Sequence, residues 1–198
     1  MARPKTESHK TAEHILESAQ EHFLQKGFKG TSINDVADHA KINKSLIYHH
    51  FGDKENLWKA VKEKVLEKSA NNRLDEVDFQ RPTLKEFLDV FVPFRFYLYA
   101  HHPELIRLMG WQRLEPQSES LSGVTHKTFA GLDEQIISLQ KAGEIRDDLK
   151  PDMIIYIIMS TASNGFMDKA SFLETKKGQD QYLKFIIESL ALILSPKL

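Results

Sequence analysis

The chain has 198 residues, 41% hydrophobic and 28% charged, with a formal net charge of −1. These are the proportions of a soluble globular protein of one domain or two small ones. It contains no cysteine, which excludes a disulfide framework, a thiol nucleophile and cysteine-ligated zinc or iron–sulfur centres. The opening MARPKTESHK lacks the apolar stretch of a secretion signal. The longest uninterrupted apolar run, Met153 to Met159, falls far short of the roughly 20 residues a membrane span needs. A soluble, cytoplasmic chain with no membrane partner is expected.

Charge is unevenly spread. Residues 1–65 hold eleven Lys or Arg against nine Asp or Glu, a balance of +2, and six of the nine histidines. Residues 66–198 hold sixteen against nineteen, a balance of −3. Such a weak asymmetry bears on nucleic acid only if the basic residues share one face.

Apolar residues recur at helical spacing, with no convincing period-two strand or Asn-Gly hairpin signal. Ile15, Ala19 and Phe23, flanked by Leu16 and Leu24, form a stripe stopped by Gly27. Ser32 is placed to cap a second, short helix, with Asp35 at the third helical position and Ile33, Val36, Ala37 and Ala40 facing inward. A third helix begins after Asn43 and buries Ile47 and Phe51. Gly52 stops it, and Asp53 caps a fourth carrying Leu57, Trp58, Val61 and Val65. Residues 67–82 are polar and are either its outer turns or a connection.

Thr83 to Glu86 reads as a capping box, opening a helix with Phe87, Leu88, Phe91, Phe94 and Leu98 in which Pro93 predicts a kink. Pro103 suits the first position of a short helix ending near Gly110. Phe129, Leu132, Ile136 and Leu139 mark a longer one closed by Gly143; Pro151 starts another, and the last runs from about Asp180 to Ser195. The fold class is therefore all-α, with about nine helices. Residues 153–159, MIIYIIM, and 182–194, YLKFIIESLALIL, are apolar nearly all round and need covering on every side. They are either central core helices or half of an isologous four-helix interface with a second copy.

Residues 32–51, SINDVADHAKINKSLIYHHF, describe two short helices joined by a tight turn, a helix-turn-helix. With Ile47 and Phe51 inside, Lys44, Ser45, Leu46, Tyr48, His49 and His50 remain for the major groove. Lys44 and Ser45 suit base edges, Leu46 a thymine methyl, and Tyr48, His49 and His50 phosphate oxygens. The Lys54 ammonium and the N–H groups at the start of the next helix suit a further phosphate. Arg3, Lys5 and Lys10, ahead of the first helix, read either as a basic arm or as a solvated tail.

The stretch 11–61 resembles the DNA-binding region of the TetR family of transcriptional repressors. The resemblance is carried by Lys26-Gly27-Phe28, Thr31-Ser32, Asp35-Val36-Ala37 and above all LIYHHFGDK, Leu46 to Lys54. It implies a three-helix DNA-binding domain over 9–66 and a helical-bundle domain over 67–198 that dimerises and binds a small-molecule effector. The expected DNA-contact set also takes in Thr31, Ser32, Asn34 and Lys41. The chain is thereby expected to repress from a palindromic operator as a homodimer. Two positions depart from the pattern: Lys41 stands where the family usually has glycine, and Asn43 where it often has serine. Lysine at positive φ costs about 1 kcal/mol or more. Either the turn differs there, or Lys41 takes the strain and adds a phosphate contact; the second is the expectation.

Ile155, Met159, Phe166, Ile186, Leu190 and Ile193 are the expected dimer-interface residues. Phe91, Phe94, Arg95, Leu98, His102, Trp111, Phe129 and Tyr156 are the candidate effector-pocket lining, in competition with core packing for the aromatics and a solvated face for the charged groups. Adjacent histidines on a helix point about 100° apart, so neither His49-His50 nor His101-His102 with Glu104 chelates readily, and no metal or cofactor is expected. His102 before Pro103 reads as a helix cap. One rival is a helical-bundle enzyme using His101, His102 and Glu104, but it leaves 32–54 unexplained and offers no nucleophile–base pair. The other is a DNA-binding module without an effector.

Overall fold

A computed structural model describes residues 5–70, 79–115 and 131–196, with side chains from residue 8, and every regular element among them is helical. In chain order these are α1 (Lys5–Gly30), α2 (Ile33–Ala40), α3 (Lys44–Phe51), α4 (Lys54–Ala70), α5 (Leu84–His101), α6 (Pro103–Leu114), α7 (Leu132–Lys141), α8 (Pro151–Met167) and α9 (Lys176–Leu194). A 3-10 turn, Ser171–Glu174, precedes α9. The protein is all-α. It forms two compact units, Met1–Ser69 with Arg107–Val124, and Ala70–Ile106 with Thr125–Leu198. A single cut between residues 66 and 67 does not reproduce this division, because the far end of α6 binds α1.

In the N-terminal unit, Ile15, Ala19 and Phe23 of α1, Ile33, Val36, Ala37 and Ala40 of α2, Ile47 of α3 and Leu57, Trp58, Val61 and Val65 of α4 are all buried. Phe51, expected beside Ile47, is only half-buried. Each short helix starts on a side chain. Ser32 and Asp35 form a reciprocal capping box at α2; Asn43 Oδ1 accepts from the Ser45 N–H at α3; Asp53 Oδ1 accepts from the Asn56 N–H at α4. Lys41 ends α2 at φ 53°, ψ 44°, so this lysine does take the left-handed conformation. Lys5 and Lys10 lie within α1 rather than ahead of it, which corrects the basic-arm reading for those two.

The C-terminal unit packs Phe87, Leu88, Phe91 and Phe96 of α5 against Leu132, Ile136 and Leu139 of α7, Ile154 and Ile158 of α8, and Leu183, Ile186, Leu190 and Leu194 of α9. Thr83 accepts from the Glu86 N–H, but its hydroxyl donates to the Glu86 carboxylate, and Glu144 takes the Leu84 N–H. α5 continues through Pro93 to His101 as one helix. α6 runs past Gly110 to Leu114, since glycine inside a helix weakens it without ending it. α7 starts at Leu132 behind Gly131 (φ 91°), and Phe129 lies outside the described residues. α9 begins at Lys176, one turn earlier than expected, because Thr175 rather than Asp180 caps it.

The phase of α9 corrects two interface expectations. Ile186 and Leu190 are buried in their own unit's core, while Phe185 (63% exposed) and Leu192 (82%) point outward. Ile155, Met159 and Phe166 are half-buried, and Ile193 is exposed. Met153 and Tyr156 project from α8. No described helix is long and apolar enough to cross a membrane.

Candidate nucleic-acid interface

Lys29, Gly30, Thr31, Ser32, Ile33, Asn34, Lys44, Tyr48 and Lys54 line an open recess of about 460 Å³ at the meeting of α1, α2, α3 and α4. Three of the nine are lysines and none is acidic. The capping box engages the N–H groups of Ser32 and Asp35. Those of Ile33 and Asn34, in the first turn of α2, have no partner within the helix and add its positive dipole end. The Lys54 ammonium lies 4.3 Å from the centre of the Phe28 ring. That contact holds the charge over an apolar floor formed by Phe28, Phe23 and Trp58.

On α3 the buried Ile47 turns Lys44, Ser45, Tyr48 and His49 to solvent, and leaves Leu46 and His50 half-buried. His49 and His50 have ring centres 5.4 Å apart. Lys41 is exposed at the turn. Thr31 lines the recess but is itself buried, and its hydroxyl donates to the Gly27 carbonyl at 2.9 Å, so the side chain braces the chain there. Lys29 was missed by sequence reasoning. Its position three residues before the Ser32 cap was the available signal.

Two hydrogen bonds from Ser32, through its side chain first and then its backbone, hold the Asp35 carboxyl below the usual carboxylate range. Asp35 is therefore an anion at neutral pH, committed to the α2 cap. Among the described residues no group of three or more His, Asp or Glu is arranged to hold a metal ion.

The described candidate effector residues range from the core to the surface. Phe91 is fully buried and stacked on Phe87, with ring centres 5.3 Å apart. Phe94 and Leu98 are half-buried. Arg95 is buried, donates to the Tyr99 hydroxyl and stacks 4.7 Å over its ring. Burial pushes the Arg95 guanidinium down to about 9, which leaves it a cation at neutral pH. His102 caps the end of α5 with its N–H, and its Nδ1 lies 3.2 Å from Glu104 Oε1. Trp111 belongs to the N-terminal unit, where its indole N–H donates to the Leu24 carbonyl. Tyr156 is 73% exposed, on the outer face of α8.

Sequence models of two domains match the chain. The one described as bacterial regulatory proteins, tetR family, covers residues 15–61. The one described as tetracyclin repressor-like, C-terminal domain, covers 91–187. The HTH-type transcriptional repressor NicS of Pseudomonas putida is 30% identical over 149 residues, 71% of this chain and 68% of that one. The HTH-type transcriptional repressor DhaR of a Mycobacterium species is 24% identical over 191 residues, 90% and 91% of the two chains. A TetR-family transcriptional regulator from Haemophilus influenzae shares the fold with a TM-score of 0.69 at 18% identity, over 96% of this chain and 99% of that one. Sequence, fold and the basic helix-turn-helix surface agree: this chain is a DNA-binding transcriptional regulator and belongs to the TetR family.

Proposed function

We propose that the protein represses transcription by occupying a palindromic operator as a homodimer, and that a small molecule bound in the C-terminal unit releases it. The observation that carries the DNA half is the recess whose lysines, Lys29, Lys44 and Lys54, converge beside the free face of α3. Phosphate oxygens seat there, on three cations and a helix N-terminus, and fix the register. Lys44 and Ser45, at the start of α3, then reach base edges in a groove about 12 Å wide.

The homodimer is supported by the outward apolar residues Met153 and Tyr156 of α8 and Phe185, Leu192 and Ile193 of α9, which a second copy of the same face would cover. Pairing sets two α3 helices against successive major-groove faces, about 34–36 Å apart. The effector favours a conformation in which that spacing is wrong, and by linkage operator DNA weakens effector binding by the same factor.

Selection of duplexes from a random pool by the full-length chain tests this. The expected product is an inverted repeat with half-sites one helical turn apart. Lys44→Ala and Ser45→Ala should shift the consensus, while Tyr48→Ala and Lys54→Ala lower affinity on every sequence. A pool that enriches no sequence contradicts the proposal.

A further inference from the structure

α1 is helical on both sides of Gly27, but Gly27 itself sits at φ 72°, ψ −178°. A kink of that kind frees the Leu24 carbonyl and the N–H groups of Phe28 and Lys29 from the i to i−4 ladder, and buried backbone groups need new partners. All three find them on one later segment of the chain. Trp111 Nε1–H donates to the Leu24 carbonyl at 3.0 Å. The buried Glu115 carboxylate accepts from the Phe28 N–H at 2.9 Å with one oxygen and from the Lys29 N–H at 3.1 Å with the other. Gly27 is required twice over, since a Cβ there would come within 2.6 Å of the Trp111 ring as well as strain the backbone.

The residues so held are those that build the phosphate recess. Lys29 lines it, and Phe28 carries the Lys54 ammonium on its ring. We infer that Glu115 is a positioning residue for operator binding: its carboxylate fixes the Phe28–Lys29 backbone and so aims the Lys29 and Lys54 ammonium groups at the DNA backbone. The inference rests on the DNA-binding reading above. It makes a prediction of unexpected sign. On charge alone, removing a carboxylate close to a phosphate site tightens DNA binding. Positioning requires the opposite.

The test uses the full-length chain and a duplex selected by the wild-type protein, with affinity measured by fluorescence anisotropy across a salt series. Glu115→Ala should weaken binding about tenfold or more and make the dependence of log K on log salt shallower, because aligned phosphate contacts are lost. In a Lys29→Ala/Lys54→Ala background the same change should cost less than twofold. Glu115→Gln, which keeps the volume and one acceptor, should fall between, and it carries the comparison if the alanine variant does not fold. Affinity unchanged or improved overturns the inference, as does a loss that leaves the salt slope intact and persists undiminished in the double-lysine background. A wild-type chain that binds no duplex overturns the DNA-binding reading and this inference together. Wild-type binding that is indifferent to residue 115 overturns the inference alone.

Discussion

In the N-terminal unit α2, α3 and α4 each begin on a local side chain, Ser32, Asn43 and Asp53, and their exposed polar residues meet at one recess. In the C-terminal unit α7 and α8 start with no side-chain cap, and the helices are held by an aromatic and aliphatic core. In the first region the helix boundaries are fixed within a few residues of sequence, whereas the Gly27 kink behind the recess draws on distant partners. In the second, only tertiary packing selects which helix faces are buried and which are exposed. Damage should therefore separate: changes in the C-terminal core lower stability broadly, while changes at the recess lower DNA affinity and spare the fold.

The largest expected effect is Phe91→Ala. This ring is fully buried and stacked on Phe87, and its loss should lower unfolding free energy by about 3–5 kcal/mol. Chemical denaturation measures it, and Lys54→Ala in the same assay should change stability by less than ~0.5 kcal/mol. Next come the two faces of α9. Ile186→Ala should cost about 2–5 kcal/mol of stability with the oligomeric state unchanged at low temperature, whereas Leu192→Asp should yield folded monomers by light scattering. The reverse pattern would restore Ile186 to the interface.

Lys41→Gly separates strain from contact. Glycine relieves a left-handed lysine by about 1 kcal/mol, so the variant should be slightly more stable yet bind DNA less tightly if the Lys41 ammonium touches phosphate. The smallest effect concerns acid. Asp35 has its folded pKa depressed by Ser32, so the stability it contributes is fully present above the unfolded value near 3.9 and is lost as pH falls through the folded one. Asp35→Asn should flatten the stability decline below about pH 4, and a decline identical to wild type would remove the charged cap from the account.

Much of the N-terminal unit was legible because its signals are local. A serine three residues before an aspartate, an asparagine two before a serine and a Gly52-Asp53 pair each specify a helix boundary with their own hydrogen bonds. The left-handed turn at Lys41 was legible only through the family resemblance, which puts a position favouring glycine there. Trp111 and Glu115 were not, because the backbone groups they satisfy lie 86 or 87 residues earlier; nothing local marks a tryptophan as the partner of a kink in α1. α9 was ambiguous for a different reason. YLKFIIESLALIL offers more than one apolar stripe, and packing against α5 and α8 chose Leu183, Ile186, Leu190 and Leu194. Aromatic spacing on α5 is ambiguous in the same way, since it does not distinguish a core-facing side chain from a ligand-facing one, and packing put Phe91 in the core.

The measurement closest to the central claim is the salt dependence of binding to the selected duplex, wild type against Lys54→Ala. Each phosphate contact adds about 0.9 to the slope of log K against log salt. One lysine lost from each half of a dimer should therefore make the slope shallower by nearly two. A slope unchanged by the substitution, or an affinity for duplex DNA that does not respond to salt, would contradict the recess as the phosphate-binding surface.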